Sequence, residues 1–569
     1  MTNAEIAAVF DQIADLLDFQ GANPFRVRAY RNAARTIGEF PEAIEDVAAD
    51  PGRKLTDIAG IGEDLAGKVV TLLATGSLPM LDELLAQIPS SVLAMLRVPG
   101  LGPKRAATLY HQLHVTTLDE LREACLKHRV RALKGFGEKT ELAILQGLEI
   151  ALQAQQRIYW AEADQIAQAL RAHLGACGAI EQVEMAGSYR RGKDTVGDLA
   201  VLVVAQDAAA AMDCFARFPA LGQVLARGDT KMSVRLDTGF QVDLRVVPAE
   251  SFGAALQYFT GSKAHNVELR GMAKARGLKL NEYGVFRGEK QIGGRTEDEV
   301  YGALDLPTFP PELREARHEF QWAAAGTLPQ LIELADIRGD LHTHSTWTDG
   351  LATIDEMATA ARQRGLKYLA ITDHSKRVAM VGGLDAVALR RQWAEIDKLN
   401  ARLSGITVLK GVEVDILEGG GLDLDDGVLA EADYVVASVH YGQNQSRQQI
   451  TRRVVEALQN PHVWAIAHPT GRMLNRRHPY EIDLDAVFQA ARDHGKFLEL
   501  NAHPSRLDLD DVACAAAKNY GVPIVIATDA HSVYGLDAMR YGVLQARRGG
   551  LTRHDVANTR TWAQMKKLR

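Results

Sequence analysis

Two histidines two residues apart, His342 and His344 in "DLHTHSTWTDG", open a series of metal-ligand side chains in the last part of the chain. Asp349 follows in the same stretch. Then come His374 in "YLAITDHS", Glu413 in "LKGVEVDI", His440 in "VVASVHYG", His468 in "WAIAHPTG", and Asp529 and His531 in "PIVIATDAHS". In most of these an apolar β-like run leads straight into the polar residue. Neutral imidazole with carboxylate suits Zn²⁺, Mn²⁺ or Fe²⁺, and the lack of cysteine in the set leans towards a hydrolytic site. One histidine at a strand end is more often a packed residue than a ligand. Nine ligand-type residues at successive strand ends are hard to explain by packing.

A second place carries less. "GSYRRGKDTVGDLAVLV" ends in a β-like run in which Asp198, Ala200 and Leu202 share one face. Phosphoryl transfer with two metal ions favours carboxylates at i and i+2 on such a face, and here the second position is alanine. Asp194 and Asp237 fall in loop-like stretches and offer no evident replacement. A third feature is a repeat: "IAGIGEDLAGKVVTLL", "VPGLGPKRAATLYHQL" and "LKGFGEKTELAILQGL" each place two glycines ahead of a helix. Gly60 and Gly62, Gly100 and Gly102, and Gly135 and Gly137 permit a tight turn. The amides exposed at the next helix suit a phosphate oxygen, and Lys68, Lys104 and Lys139 each add a charge. One copy reads as a connection between packed helices; three copies at similar spacing favour phosphate contact.

The elements that must position these residues follow from pattern. With 569 residues the chain exceeds one core. Residues 1–155 show apolar spacing of three and four and read as all-α, as in "AEIAAVFDQIADLLDF". From about 156 to 250 helices mix with strand-like runs, "DLPTFPPELREAR" looks like a boundary, and after Ala335 the rhythm is β-run, loop, helix. If those strands are parallel and the sheet closes, their ends converge on one face, where barrel enzymes place their chemistry. Apolar content of 47% and charged content of 24% are ordinary for a globular protein. The net charge of −7 argues against a broad nucleic-acid-binding field, so phosphate contacts must be local. No apolar run reaches membrane-span length, and Cys125, Cys177, Cys214 and Cys514 are scattered, which fits a reducing, cytoplasmic setting.

The glycine repeats resemble helix-hairpin-helix motifs, which grip DNA backbones. Residues 337–569 resemble the PHP (polymerase and histidinol phosphatase) family, and every position of that family's trinuclear site is filled. The resemblance implies a distorted seven-stranded β/α barrel that hydrolyses phosphoesters. Its ligands would be His342, His344, Asp349, His374, Glu413, His440, His468, Asp529 and His531. Asn501 and His503 in "LELNAHPSRLDL" stand at another strand end, where a supporting or substrate role competes with plain packing. "GSYRR" through "VGDLA", "VDLRVV" around Asp243, "YFTGSKAHNVELR" and "NPFRVRAYRNAARTI" resemble family X DNA polymerases. The whole chain thus looks like a bacterial member of that family with a PHP domain appended.

The architecture implied is multidomain. An all-α helix-hairpin-helix region covers 1–85 and a fingers-like helical region 86–155. An α+β nucleotidyltransferase palm at 156–250 and a thumb at 251–318 follow, then a linker at 319–336 and the distorted (β/α)7 barrel at 337–569. The function implied is gap-filling addition of deoxynucleoside triphosphates on gapped, nicked or 3′-recessed DNA, joined to a 3′-5′ exonuclease that also suits abasic sites. By the same resemblance Ser188, Arg191 and Gly197 bind the triphosphate. Tyr258, Phe259 and Gly261 line the sugar pocket, Asn266 touches the base, Arg270 approaches the template, and Lys68 takes the place of a Schiff-base lysine. Asp198 and Asp243 would hold Mg²⁺ or Mn²⁺, and Ala200 stands where a third acid belongs. The loss of that ligand predicts synthesis slowed by about 10²–10⁴ or more. Two alternatives remain: a DNA-binding scaffold that delivers ends to the nuclease, and a phosphatase of small molecules.

Overall fold

The computed structural model describes residues 1–568 apart from 2, 41–43, 59, 89, 97, 99–100 and 155–156. Two compact units divide the chain. One comprises Met1–Gln155, Glu333–Gly542 and Arg553–Arg569; the other comprises Gln156–Ile332 and Val543–Thr552. Among the described residues no single helix is long and apolar enough to cross a membrane.

The Gln156–Ile332 unit is built on a five-stranded sheet of β1 (Ile180–Met185), β2 (Asp198–Ala205), β3 (Leu221–Arg227), β4 (Lys231–Leu236) and β5 (Gln241–Val246). Its spatial order is β1-β2-β5-β4-β3. Only β2 and β5 run parallel, and their register sets Ala200 beside Asp243. Val201 and Val203, Val234, Val242 and Leu244 face a core closed by helices Trp160–Gly175 and Ala208–Phe215. A smaller three-stranded sheet follows, its core formed by Val285, Tyr301 and Phe309. The unit runs past the proline-punctuated stretch because Arg314 and Glu319 are buried in it. Arg314 is held by Glu297 and by the Phe309 carbonyl.

In the other unit, residues 1–155 form nine helices among the described residues, around a core that includes Phe10, Ile37, Val69 and Leu109. The three glycine repeats fold alike. Ile61 N–H donates to the Ile58 carbonyl, Leu101 to Val98 and Phe136 to Leu133, each at 3.0 Å. Gly60 and Gly135 sit at φ of +87° and +88°, which only glycine adopts cheaply. Gly62 and Gly102 cap the helices Glu63–Thr75 and Pro103–Leu113.

Seven parallel strands make the barrel: β6 (Gly339–Thr343), β7 (Tyr368–Ile371), β8 (Thr407–Asp415), β9 (Tyr434–Ser438), β10 (Ala465–Ile466), β11 (Phe497–Asn501) and β12 (Ile524–Ala527). They lie in sequence order, and a Thr343–Ala530 bridge brings the first beside the last. β6, β7, β9, β10, β11 and β12 are buried at every position, as both faces are in a parallel sheet wrapped by helices. Tyr368, Tyr434 and Phe497 each begin a strand, and their rings join Trp464 and Met565 to fill one end of the barrel. Ligand-type residues stand at the other end. Helix caps set the chain after several strands: Thr353, Asp385, Ser446, Asp483 and Asp510 each accept an N–H from the first turn that follows.

Candidate metal centre

Six of the strand ends bring all nine residues together. Glu413, near the end of β8, lies centrally. Its Oε2 is 2.8 Å from His374 Nδ1, 3.4 Å from His342 Nε2 and 3.7 Å from His344 Nε2. Its Oε1 faces His440 Nε2 at 3.3 Å and His468 Nε2 at 3.2 Å. Asp529 Oδ1 is 3.1 Å from His344 Nε2, and Asp349 Oδ2 is 3.2 Å from His531 Nε2. Three groups have ligand atoms close enough to share one cation: His344, Asp349, His374 and His531; His342, His344 and Asp529; His374, Glu413 and His440. His468 belongs to none of them and joins through Glu413.

The donor set fits divalent cations for a reason beyond composition. His342 Nε2, His344 Nδ1, His374 Nδ1 and Glu413 Oε2 are buried and make no hydrogen bond. An orphaned buried polar atom costs about 1–3 kcal/mol, and four in one cluster are tolerable only where something else satisfies them. His374 Nδ1 and Glu413 Oε2 approach to 2.8 Å without hydrogen-bond geometry, as two ligands of one ion do.

Neighbouring groups fix which nitrogen faces inward. His342 Nδ1 lies 2.6 Å from Glu499 Oε2, and His440 Nδ1 lies 3.2 Å from Asp415 Oδ1. His531 Nδ1 donates to the Asp529 carbonyl at 2.8 Å. In each ring the partner holds a proton at Nδ1, which turns Nε2 towards the centre. Asn501 donates to Glu499 Oε1 and to Asp529 Oδ2, so it holds ligands in place. His503 Nδ1 pairs with the Ser505 hydroxyl instead.

Charge follows from the same contacts. Burial opposes protonation of His440, but Glu413 and Asp415 lift it to about 10. Burial likewise opposes His531, which Asp349 and Asp529 lift to about 9. His344 goes the other way, to about 3, through burial and the charges of His531 and His374. Burial would raise Glu413, yet the surrounding imidazoles hold it well below the usual range. His468 and Asp529 adopt φ of 28° and 55°, strained values for residues with a side chain that cluster at functional sites.

The palm-like sheet presents a thinner arrangement. Asp198 and Ala200 start β2, and Asp243 lies beside Ala200 on β5. Lys231 Nζ is 3.1 Å from Asp243 Oδ2, and Gln241 donates to Oδ1 at 3.1 Å. Burial would raise Asp243, but hydrogen bonds from Ser233, Gln241 and Lys231 hold it low. Asp198 is raised by desolvation and by the Asp243 charge, against Arg157 and Lys231. The Ala200 methyl packs against the apolar cluster of Ala186, Leu202 and Phe252. Neither Asp194 nor Asp237 supplies the missing oxygen: Asp194 lies in the loop before β2, and Asp237 follows β4 with its N–H on the Ala220 carbonyl.

Ser188 lies within the helical turn Gly187–Arg190, Arg191 caps it, and Gly197 immediately precedes β2. Arg191 spends its guanidinium on Glu315 at 3.1 Å and the Thr260 carbonyl at 2.5 Å. Tyr258 and Phe259 sit on helix Phe252–Thr260, where Arg245 lies 4.4 Å over the Phe259 ring. Gly261 ends that helix at φ +69°. Asn266 is buried; it accepts from Gln257 and donates to the Tyr258 carbonyl, while Arg270 Nε donates to the Asn266 carbonyl. Lys68 pairs with Asp64 one turn earlier and lies 5.8 Å from the Tyr30 ring. Lys104 and Lys139 fall in the first turns of their helices; Gly100 lies outside the described residues.

Glu499 and Asp415 escaped the sequence reading although a signal for each was present. Both stand two residues from a residue singled out there, Asn501 and Glu413, and so share its face on a strand.

Family models match along most of the chain. Residues 1–78 match a helix-hairpin-helix domain and 92–149 a SAM-like helix-hairpin-helix tandem. Residues 157–235 match a DNA polymerase beta palm, 255–315 a DNA polymerase beta thumb and 340–503 a PHP domain. The DNA polymerase/3′-5′ exonuclease PolX of Bacillus subtilis (strain 168) is 40% identical over 566 residues, 99% of this chain and 98% of that protein. A probable phosphatase of Thermoanaerobacter sp. (strain X514) is 32% identical over 232 residues, 39% of this chain and 89% of its own length. DNA polymerase lambda of Rattus norvegicus is 27% identical over 346 residues, covering 55% of this chain and 56% of that one.

Proposed function

Because the chain belongs to the family of the bacterial DNA polymerase/3′-5′ exonuclease PolX, we propose that it processes DNA ends. Its barrel is a metal-dependent phosphodiesterase that removes nucleotides from 3′ ends, and its nucleotidyl-transfer site is silenced at Ala200. The observation that carries this reading is the set of orphaned atoms on His342, His344, His374 and Glu413. Up to three Mn²⁺, Zn²⁺ or Fe²⁺ ions would be held by the three groups described, with His468 completing the set. Such ions polarise a phosphate and supply hydroxide near neutral pH.

The chain's own residues do the positioning. Glu413, touched on both oxygens, fixes the spacing between groups. Glu499 and Asp415 keep the His342 and His440 protons on the outward nitrogens. Asp349, His440 and His531 retain side-chain exposures of 23%, 19% and 14%, which makes them the open side through which a strand end reaches the centre. The helix-hairpin-helix turns offer backbone amides to DNA phosphates and read no bases. Lys68 serves as a phosphate contact: burial lowers its pKa, but Asp64 and Tyr30 more than reverse this, and a Schiff base needs the neutral amine. Nucleotide binding in the palm requires Arg191 and Asn266 to release their internal partners, and with Ala200 the cage for two Mg²⁺ ions lacks a ligand.

A second reading, a small-molecule phosphatase, draws on the match to a probable phosphatase over 39% of the chain. A 5′-labelled primer on a one-nucleotide gap separates the two. With Mn²⁺ the primer shortens and, on addition of deoxynucleotides, fails to extend. Efficient extension would overturn the silenced site, and an intact primer beside rapid hydrolysis of a small phosphomonoester would favour the phosphatase.

A further inference from the structure

One cation stands at the rim of the metal centre without belonging to it. Arg35 projects from helix Pro24–Glu39 of the N-terminal helical region, which shares a compact unit with the barrel. Its Nη2 donates to the Asp349 carbonyl at 3.0 Å, and its Nη1 lies 4.0 Å from Asp349 Oδ2, beyond hydrogen-bond reach. Its Nε is buried and makes no hydrogen bond. The guanidinium therefore engages one of five N–H groups, while its side chain is 28% exposed. Its charge is close enough to oppose protonation of His531.

The placement is not a stray surface contact. The first glycine turn seats beside it: a Cβ on Gly60 would lie 3.2 Å from Thr36 Oγ1 and 3.7 Å from Leu351 Cδ1. The Phe40 ring packs 4.3 Å from that of Tyr534. Arg35 is thus carried to the exposed edge formed by Asp349 and His531. A cation there does nothing for metal binding, which it opposes by like charge. It does suit an anion, and a planar fork with unspent donors is the side chain best matched to a phosphate.

We propose that Arg35 is a substrate-binding residue of the phosphodiesterase site, gripping a phosphate of the DNA strand adjacent to the one being cut. This rests on the phosphodiesterase reading above. Asp349 separates Arg35 from the histidines, so the phosphate it reaches is a neighbour of the one at the metals. Once Asp349 serves a cation, its carboxylate no longer competes for the guanidinium. The helical region then makes the barrel selective for a polynucleotide.

The test compares the full-length protein with Arg35→Ala and Arg35→Lys on a 3′-recessed duplex and on bis(p-nitrophenyl) phosphate, which has no neighbouring phosphate. Arg35→Ala raises KM for the duplex by about 10- to 100-fold, at least tenfold more than for the small ester, with kcat altered far less. The slope of log affinity for the duplex against log salt falls by about 0.7–0.9, the signature of one lost phosphate contact. Arg35→Lys restores the slope and part of the affinity. Equal losses on both substrates, or a fall in bound metal, would place Arg35 on the metal loop and overturn the proposal. So would an unchanged salt slope. If the unmodified protein cleaves only the small diester and leaves the duplex intact, the reading of the barrel as a nuclease for DNA ends has itself failed, and this is visible before any variant is made.

Discussion

The palm face and the barrel mouth each set carboxylates near the ends of parallel strands, and they treat them oppositely. In the palm, Asp243 is satisfied by Lys231, Gln241 and Ser233, and the position beside it is a methyl group packed on apolar neighbours. In the barrel, Glu413 touches only imidazoles, and several of the facing atoms bond to nothing. In the palm the acid beside the methyl group is kept by a fixed cation, Lys231. The barrel cluster leaves four of its ligand-type atoms unpaired, while Glu499, Asp415 and Asn501 hydrogen-bond to it from one layer further out. The difference lies in where the protein's own donors point, and it needs no ion in view.

Breaking the barrel side should give the largest effect. Glu413→Ala removes the carboxylate that His342, His344, His374, His440 and His468 all face, and DNA 3′-end removal should fall by about 10⁴ or more. Metal content measured by mass spectrometry should fall with it. Full metal retention would show that Glu413 is not a ligand. The palm side is sharpened by gain of function. Ala200→Asp should bring measurable primer extension, a rise of about 10²–10⁴ over the unmodified chain. Because Lys231 neutralises Asp243, the double variant with Lys231→Ala should exceed the single one. Extension by the single variant alone, abolished in the double, would make Lys231 part of the nucleotide site rather than a stand-in for a cation.

The parallel barrel and the ligand-type residues at its strand ends were legible because most of the apolar runs lead into a polar residue, a pattern that survives without any knowledge of contacts. Ala200 was legible for the same reason, through the two-residue period of a strand. The acids behind the ligands were not. Glu499 and Asp415 lie within buried strands, and "LELN" or "VEVD" gives no sign of which acid faces a metal and which faces a ring nitrogen. Arg35 lies within the stretch "NPFRVRAYRNAARTI", but nothing there ties it to the barrel, since its partner lies 314 residues away. Asn266 shows the limit of resemblance: both ends of its amide are engaged within its own unit, which no motif could indicate.

Those hidden acids give the next test. Glu499→Gln keeps the shape and removes the charge that holds the His342 proton in place, and outer partners of metal-bound histidines are commonly worth 10- to 100-fold in affinity or activity. The same factor is expected for Asp415→Asn at His440. A double variant no worse than either single would show that the two rings belong to one ion rather than two.

The smallest effect is one of pH on the chelated protein. His440 and His531 sit at about 10 and 9, raised above the ordinary histidine value because Glu413, Asp415, Asp349 and Asp529 outweigh burial. A raised pKa contributes stability fully below the unfolded value of about 6.5 and loses it as pH climbs through the folded value. The chelated protein should therefore melt progressively lower between pH 7 and 10, by roughly 2–4 °C for each kcal/mol withdrawn. Saturating Mn²⁺ should flatten that slope, because metal replaces the protons that the carboxylates otherwise recruit. Calorimetric titration of Mn²⁺ at pH 7.5 should release protons, and the affinity should rise with pH over the same interval. Parallel melting curves with and without metal would mean that the cluster is neutral before metal arrives.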